Sequence, residues 1–81
     1  MFDFKKGLLA YSNGEWSIAL DKWSAIAKKG NASAQFYLGT MHERGFGVSQ
    51  NYKMAAKWYT LAAEKGNPEA QTNLGNLYSK G

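Results

Sequence analysis

The 81-residue chain has no cysteine, so neither a disulfide nor a cysteine-based metal cage can brace it. That absence leaves the compartment open, because reducing and oxidising spaces both tolerate a cysteine-free chain. Histidine occurs once, as His42. It is followed by Glu43, but no second histidine completes a zinc motif. A Ser-His-Asp arrangement would have to be built around His42, and the two aspartates, Asp3 and Asp21, both lie far from it in sequence. Six acids scattered along the chain suggest no carboxylate pair for acid–base work. Apolar runs are short. None approaches the roughly 18 residues a membrane helix needs, and Leu8-Leu9-Ala10-Tyr11 is too short for the core of a signal peptide. The expectation is a soluble protein with no membrane span, either cytoplasmic or, if a leader has been removed, periplasmic or secreted.

What is present is mildly basic: ten Lys and Arg against six acids, a net charge of +4. The cations are spread along the chain. Lys28, Lys29 and Lys65 suit helix C-termini, where the backbone dipole favours positive charge. Lys53 and Lys57 form one small patch, far short of the basic stripe that nucleic acid needs, so no nucleic-acid partner is expected. Gly45-Phe46-Gly47 lacks the third glycine and the preceding strand of a dinucleotide fingerprint. No cofactor and no metal are expected.

The chain repeats itself. Residues 16–45 slide onto 52–81 at an offset of 36, with identity at ten of the 30 positions. The identities fall on small residues and turn formers: Ala19/Ala55, Gly30/Gly66, Asn31/Asn67, Ala34/Ala70, Gln35/Gln71, Leu38/Leu74 and Gly39/Gly75 among them. A period of this size belongs to solenoids. Apolar residues recur at steps of three and four, as in Trp16, Ala19, Leu20, Trp23 and Ala27, which is helical spacing. The pattern predicts five helices: near 3–12, then 15–28, 32–44, 51–65 and 68–80. Gly14, Gly30, Gly45 and Gly66 each follow a periodic segment, where a left-handed residue ends a helix. Asn31 and Asn67 are placed to cap the next one, and Pro68 takes a first helical position. The cap also accounts for Asn31 within its Asn-Ala-Ser glycosylation triplet. Phe46 and Val48, in the longer loop after Gly45, are expected to pack back onto a neighbouring helix pair.

The run "AQFYLGTMHERGFGVSQNYKMAAKWYTLAAEKGNPEAQTNLGNLYSKG" resembles the Sel-one-like repeat, a relative of the tetratricopeptide repeat, over residues 34–81. His42 departs from the usual Tyr and Asn51 from a frequent Asp. The opening stretch, through Gly7, Gly14, Ala19 and Trp23, is closer to a tetratricopeptide half-unit. The resemblance implies an all-α fold, a right-handed superhelix of antiparallel helix pairs in one domain over 1–81. Its units would be a tetratricopeptide-like pair at 1–29, a Sel-one-like repeat at 30–65 and the first helix of a further, incomplete repeat at 66–81.

The resemblance also implies a non-enzymatic scaffold or adaptor that holds a protein or peptide partner on a concave face lined by the first helix of each pair. The inward candidates are then Phe4, Leu8 and Tyr11 on the first helix. On the third they are Ser33, Phe36, Thr40 and Glu43, and on the fifth Glu69, Thr72, Asn76 and Ser79. Phe36 and Tyr11 would be the aromatic anchors, with Thr40, Glu43 and Asn76 as polar contacts. Phe36 has Thr72 as its repeat counterpart, so the repeat itself does not demand an aromatic there; it is either an anchor or packing against the first helix. His42 has Tyr78 as its counterpart, which favours a packing position over a small ligand-binding or hydrolytic site of this family. Read as ending at Gly81, the fifth helix lacks an antiparallel partner and a polar cap. Either the array continues in a longer chain, or another chain closes it, making a homo-oligomer through whichever of Leu74, Leu77 and Tyr78 stays uncovered.

Overall fold

Five helices follow one another: α1 (Phe2–Ser12), α2 (Trp16–Lys28), α3 (Ala32–Arg44), α4 (Tyr52–Glu64) and α5 (Pro68–Lys80). They belong to a computed structural model that describes the backbone of residues 2–80 and the side chains of 4–79. No strand occurs among these residues. Each helix packs on its neighbour in sequence, most extensively α3 on α4 and α1 on α2. The fold is the expected all-α stack of helix hairpins, with boundaries within a residue or so of those read from the sequence. The expected closing glycine, Gly81, lies outside the described residues.

The Gly-Asn dipeptides explain why the boundaries are so sharp. Gly30 takes a φ of 99° and Gly66 one of 91°, in the left-handed region that a side chain would strain. The Gly30 amide donates to the Ala27 carbonyl at 2.9 Å and the Asn31 amide to the Ile26 carbonyl at 3.2 Å, which closes α2. The same Asn31 then opens α3, its Oδ1 accepting from the Ala34 amide at 2.8 Å. Asn67 repeats the arrangement on Ala70, also at 2.8 Å. One dipeptide thus satisfies orphan groups at the end of one helix and the start of the next. Asn51, which the sequence marked only as a departure in the loop, caps α4 by accepting from the Met54 amide at 3.0 Å.

Glutamine ties the hairpins together. Gln35 Nε2 donates to the Ala27 carbonyl at 3.0 Å, and Gln71 Nε2 to the Ala63 carbonyl at 3.3 Å. Both donor and acceptor advance by the same repeat. Phe46, in the loop after Gly45, packs back as expected: its ring stacks on Trp16 with centroids 4.5 Å apart and planes 7° from parallel.

The core divides in two. Ala10, Ala19, Trp23, Leu38 and Met41 build the first part, flanked by a set of half-buried aromatics that includes Tyr11, Trp16, Tyr37 and Phe46. Ala55, Tyr59, Ala62, Ala70 and Leu77 build the second. In each part a large, fully buried ring lies across a glycine of the preceding helix: Trp23 over Gly7, and Tyr59 over Gly39. A β-carbon on Gly39 would fall 2.5 Å from Cδ1 and Cε1 of Tyr59, well inside contact distance. On Gly75, the repeat counterpart, it would meet nothing within 4 Å.

The same substitution is therefore expected to act with opposite sign at two equivalent positions. Gly39→Ala should lose about 1–3 kcal/mol by overpacking. Gly75→Ala should gain about 0.5–1 kcal/mol from lower backbone entropy in the unfolded chain. Equilibrium urea denaturation of the two variants measures both.

Candidate functional site

The candidate surface is formed by the first helix of each hairpin, α1 and α3, together with α5. Five of the expected contact residues are exposed there: Leu8 on α1, Ser33 on α3, and Thr72, Asn76 and Ser79 on α5. Glu69 is exposed at the start of α5. Phe36 is half-buried, its ring edge-on to Tyr37 at 5.2 Å and tilted against Tyr59 at 6.0 Å, which leaves part of it open.

Others are turned to internal work. Phe4 packs on Trp23 at 5.8 Å and on Tyr37 at 6.0 Å. Tyr11 stands among Trp16, Trp23 and Tyr37, with centroids 5.4, 5.3 and 5.4 Å away. Burial pushes its phenol pKa up, partly countered by the positive charge of Arg44. Thr40, expected as a polar contact, is only 8% exposed. The cause is the glycine beside it. Gly39 lets Tyr59 come down on α3, and the phenol oxygen then reaches Thr40 Oγ1 at 3.1 Å and donates to Glu43 Oε1 at 2.7 Å. Asn73 of α5 donates to the same oxygen at 3.4 Å. Thr40 and Glu43 are thus brought together, but around a side chain of α4. Burial, with the Glu43 carboxylate adding to it, pushes the Tyr59 pKa up to about 12 against the opposing hydrogen bonds from Thr40 and Asn73.

His42 is half-buried near the end of α3, and burial holds its imidazole pKa below the usual value. Its backbone carbonyl accepts from the Asn51 amide at 2.8 Å, part of the loop geometry that leads into α4. Among the described residues, no three of the His, Asp and Glu side chains gather as a metal site would require. Of the residues expected at the far end, Leu77 packs inward at 5% exposure and Leu74 is half-buried, while Tyr78 stands 70% exposed. Tyr78 and Leu77, with Tyr52, Lys53 and Ala56, line a cleft of about 230 Å³ between α4 and α5.

Beyond the expected Leu8 and Tyr78, the exposed large apolar side chains among the described residues are Leu9, Ile18, Tyr52 and Leu61. Leu9 is 66% exposed, next to Leu8 at 37%. The signal was available: three consecutive apolar residues, Leu8-Leu9-Ala10, cannot all face one side of a helix, and Ala10 takes the buried position. Tyr52, at 44% exposed, opens onto the cleft.

Hairpins joined by Gly-Asn turns, rings seated on glycines and glutamine clamps at a constant offset define a helical-repeat protein. The family follows from the comparison with family models. The Sel1 repeat matches residues 32–67 and again 68–81, and the chain belongs to the Sel1 repeat family. Repeats of this family are generally protein-interaction modules and typically non-enzymatic scaffolds. No curated protein is similar enough to the chain to count as a relative. Among the described residues, no helix is long and apolar enough to cross a membrane.

The Tyr59 hydroxyl should be visible in the pH dependence of stability. Between pH 10 and 12 the folded chain keeps a proton that the unfolded chain loses, so stability falls as pH rises through that window. The full loss from this group is about 2–3 kcal/mol. Tyr59→Phe should remove this part of the decline and cost about 1–3 kcal/mol near neutrality, since it leaves Thr40 and Glu43 without their phenol partner. Urea titrations of both proteins across this range test it.

Proposed function

We propose that the chain is a protein-interaction module that holds an extended peptide segment of a partner along α1, α3 and α5. It acts as one repeat domain over 1–81, with units at 1–29, 30–65 and 66–81. The observation that carries this reading is the exposed apolar surface of α1. Leu8 and Leu9 stand out of the core on an 81-residue domain, where exposed apolar side chains side by side mark a contact surface. Phe36, half-buried on α3, is the aromatic anchor of the site. Ser33, Thr72, Asn76 and Ser79 supply uncharged hydrogen-bonding groups around it, so a partner pays little desolvation cost for charged side chains. Tyr11 contributes at most an edge, and Thr40 is replaced as a contact by the residues that remain exposed.

The mechanism is contact rather than catalysis. His42→Tyr, which places the residue of the repeat counterpart Tyr78 at this position, should leave both binding and stability unchanged. A catalytic histidine would not tolerate it.

The test is a selection of random displayed peptides against the whole chain. Peptides so selected should lose about fivefold or more in affinity, above ~1 kcal/mol, on Phe36→Ala. Leu8→Ala should weaken the same peptides. Equal affinity for the parent chain and Phe36→Ala, together with a lowered melting temperature, would make Phe36 a packing residue and overturn the reading.

A further inference from the structure

Six asparagines occur in the chain, and glycine follows only one of them, Asn13. Asn31, Asn51 and Asn67 each hold a helix amide with Oδ1, which fixes their side chains. The residues after them are Ala32, Tyr52 and Pro68, and proline has no amide N–H. Asn73 and Asn76 lie inside α5, each followed by a leucine whose side chain crowds the amide between them. Asn13 differs on every count. It lies in the turn between α1 and α2, and both it and Gly14 are exposed. Its side chain makes no hydrogen bond with a described residue. Gly14 takes a φ of 75°, and a β-carbon there would meet only Trp16 Cζ2, at 4.0 Å. Nothing therefore crowds the Gly14 amide nitrogen from its own residue. That amide donates to the Tyr11 carbonyl at 3.1 Å, a bond at a helix end, where local opening costs least.

We propose that Asn13-Gly14 is a self-modification site, at which the folded chain converts Asn13 to aspartate and isoaspartate with water as the only co-reactant. The Gly14 amide nitrogen gives its proton to solvent and attacks Cγ of Asn13. A bond forms between that nitrogen and Cγ. The Cγ–Nδ2 bond breaks, and Nδ2 takes up a proton and leaves as ammonia. Water then opens the five-membered imide at either carbonyl. Opening at the side-chain carbonyl restores the ordinary backbone, as aspartate. Opening at the backbone carbonyl leaves the chain running through Cγ, as isoaspartate. Either product places a carboxylate beside the last carbonyls of α1, the negative end of that helix. Isoaspartate also lengthens by one carbon a turn that the Glu15 amide closes on the Ala10 carbonyl at 2.8 Å. Modification thus loosens the end of α1 and lowers the net charge of +4 by one. None of this depends on the peptide surface proposed above.

The test follows the whole, folded chain through a long incubation at mildly alkaline pH. Peptide mapping by mass spectrometry reads the amide left at each asparagine. Asn13 should lose its amide at least about tenfold faster than any of the other five. Both acids should appear there, the isoaspartate marked by enzymatic methylation. Isoelectric focusing should show a more acidic species accumulating in the parent chain and not in Asn13→Gln. That variant keeps the amide and, since Asn13 has no positive φ, suits the turn. The acidic species, separated by ion exchange, should melt at a lower temperature than the parent. Loss of amide at another asparagine first, an acidic species that persists in Asn13→Gln, or conversion of Asn13 only in urea-unfolded chain overturns the proposal. An unchanged melting temperature overturns the loosening of α1.

Discussion

The ring of Tyr59 and the backbone of α3 share a space that leaves no room for a β-carbon at residue 39. Much of the second half of the molecule depends on that contact. It brings α4 close enough for the phenol oxygen to reach Thr40 and Glu43, and it exposes the same oxygen to Asn73 of α5. Three helices therefore meet at one hydroxyl that is buried and neutral at ordinary pH. Trp23 over Gly7 does the corresponding work between α1 and α2, with its indole nitrogen donating to the Phe4 carbonyl at 3.3 Å. The hairpins are built by a large ring meeting a missing side chain, and the glycine is kept despite the roughly 1 kcal/mol it costs within a helix.

Between hairpins the connection is of another kind. Gln35 and Gln71 reach back to the last turn of the preceding helix, and the Gly-Asn dipeptides both end and begin helices within two residues. These links are local, so stability is close to a sum of units and their nearest-neighbour contacts. A structure of this sort leaves its faces available. The core needs no more than part of each helix, and Leu8, Leu9, Tyr52 and Tyr78 remain outside it. Surface of this kind is what a repeat scaffold offers to partners.

Helix positions were legible in the sequence because their signals are local. Glycine past a periodic run, asparagine at a cap and proline at a first position act within a few residues, and the Gly14, Gly30, Gly45 and Gly66 backbones all adopt the left-handed conformation their positions implied. The repeat made the fold class legible as well. The faces were less so. Thr40 and Asn76 are equivalent in the repeat, yet Thr40 is buried and Asn76 exposed, because a ring lies above the glycine of α3 and, among the described residues, none lies above that of α5. Tyr11 carries the periodicity of a groove residue and of a core residue equally well, and its place among Trp16, Trp23 and Tyr37 is decided by helices distant in sequence. Such contacts depend on how helices approach one another, which one helix's pattern does not encode.

Residue 39 is glycine because Tyr59 lies on it. A double-mutant cycle tests that directly. The stability change of Gly39→Ala is measured by urea denaturation with Tyr59 present and again in a Tyr59→Leu background. A change of sign is expected, a loss with Tyr59 and a gain of about 0.5–1 kcal/mol, the helix preference of alanine, once the ring is gone. An equal loss in both backgrounds would mean that the glycine answers to something other than the ring.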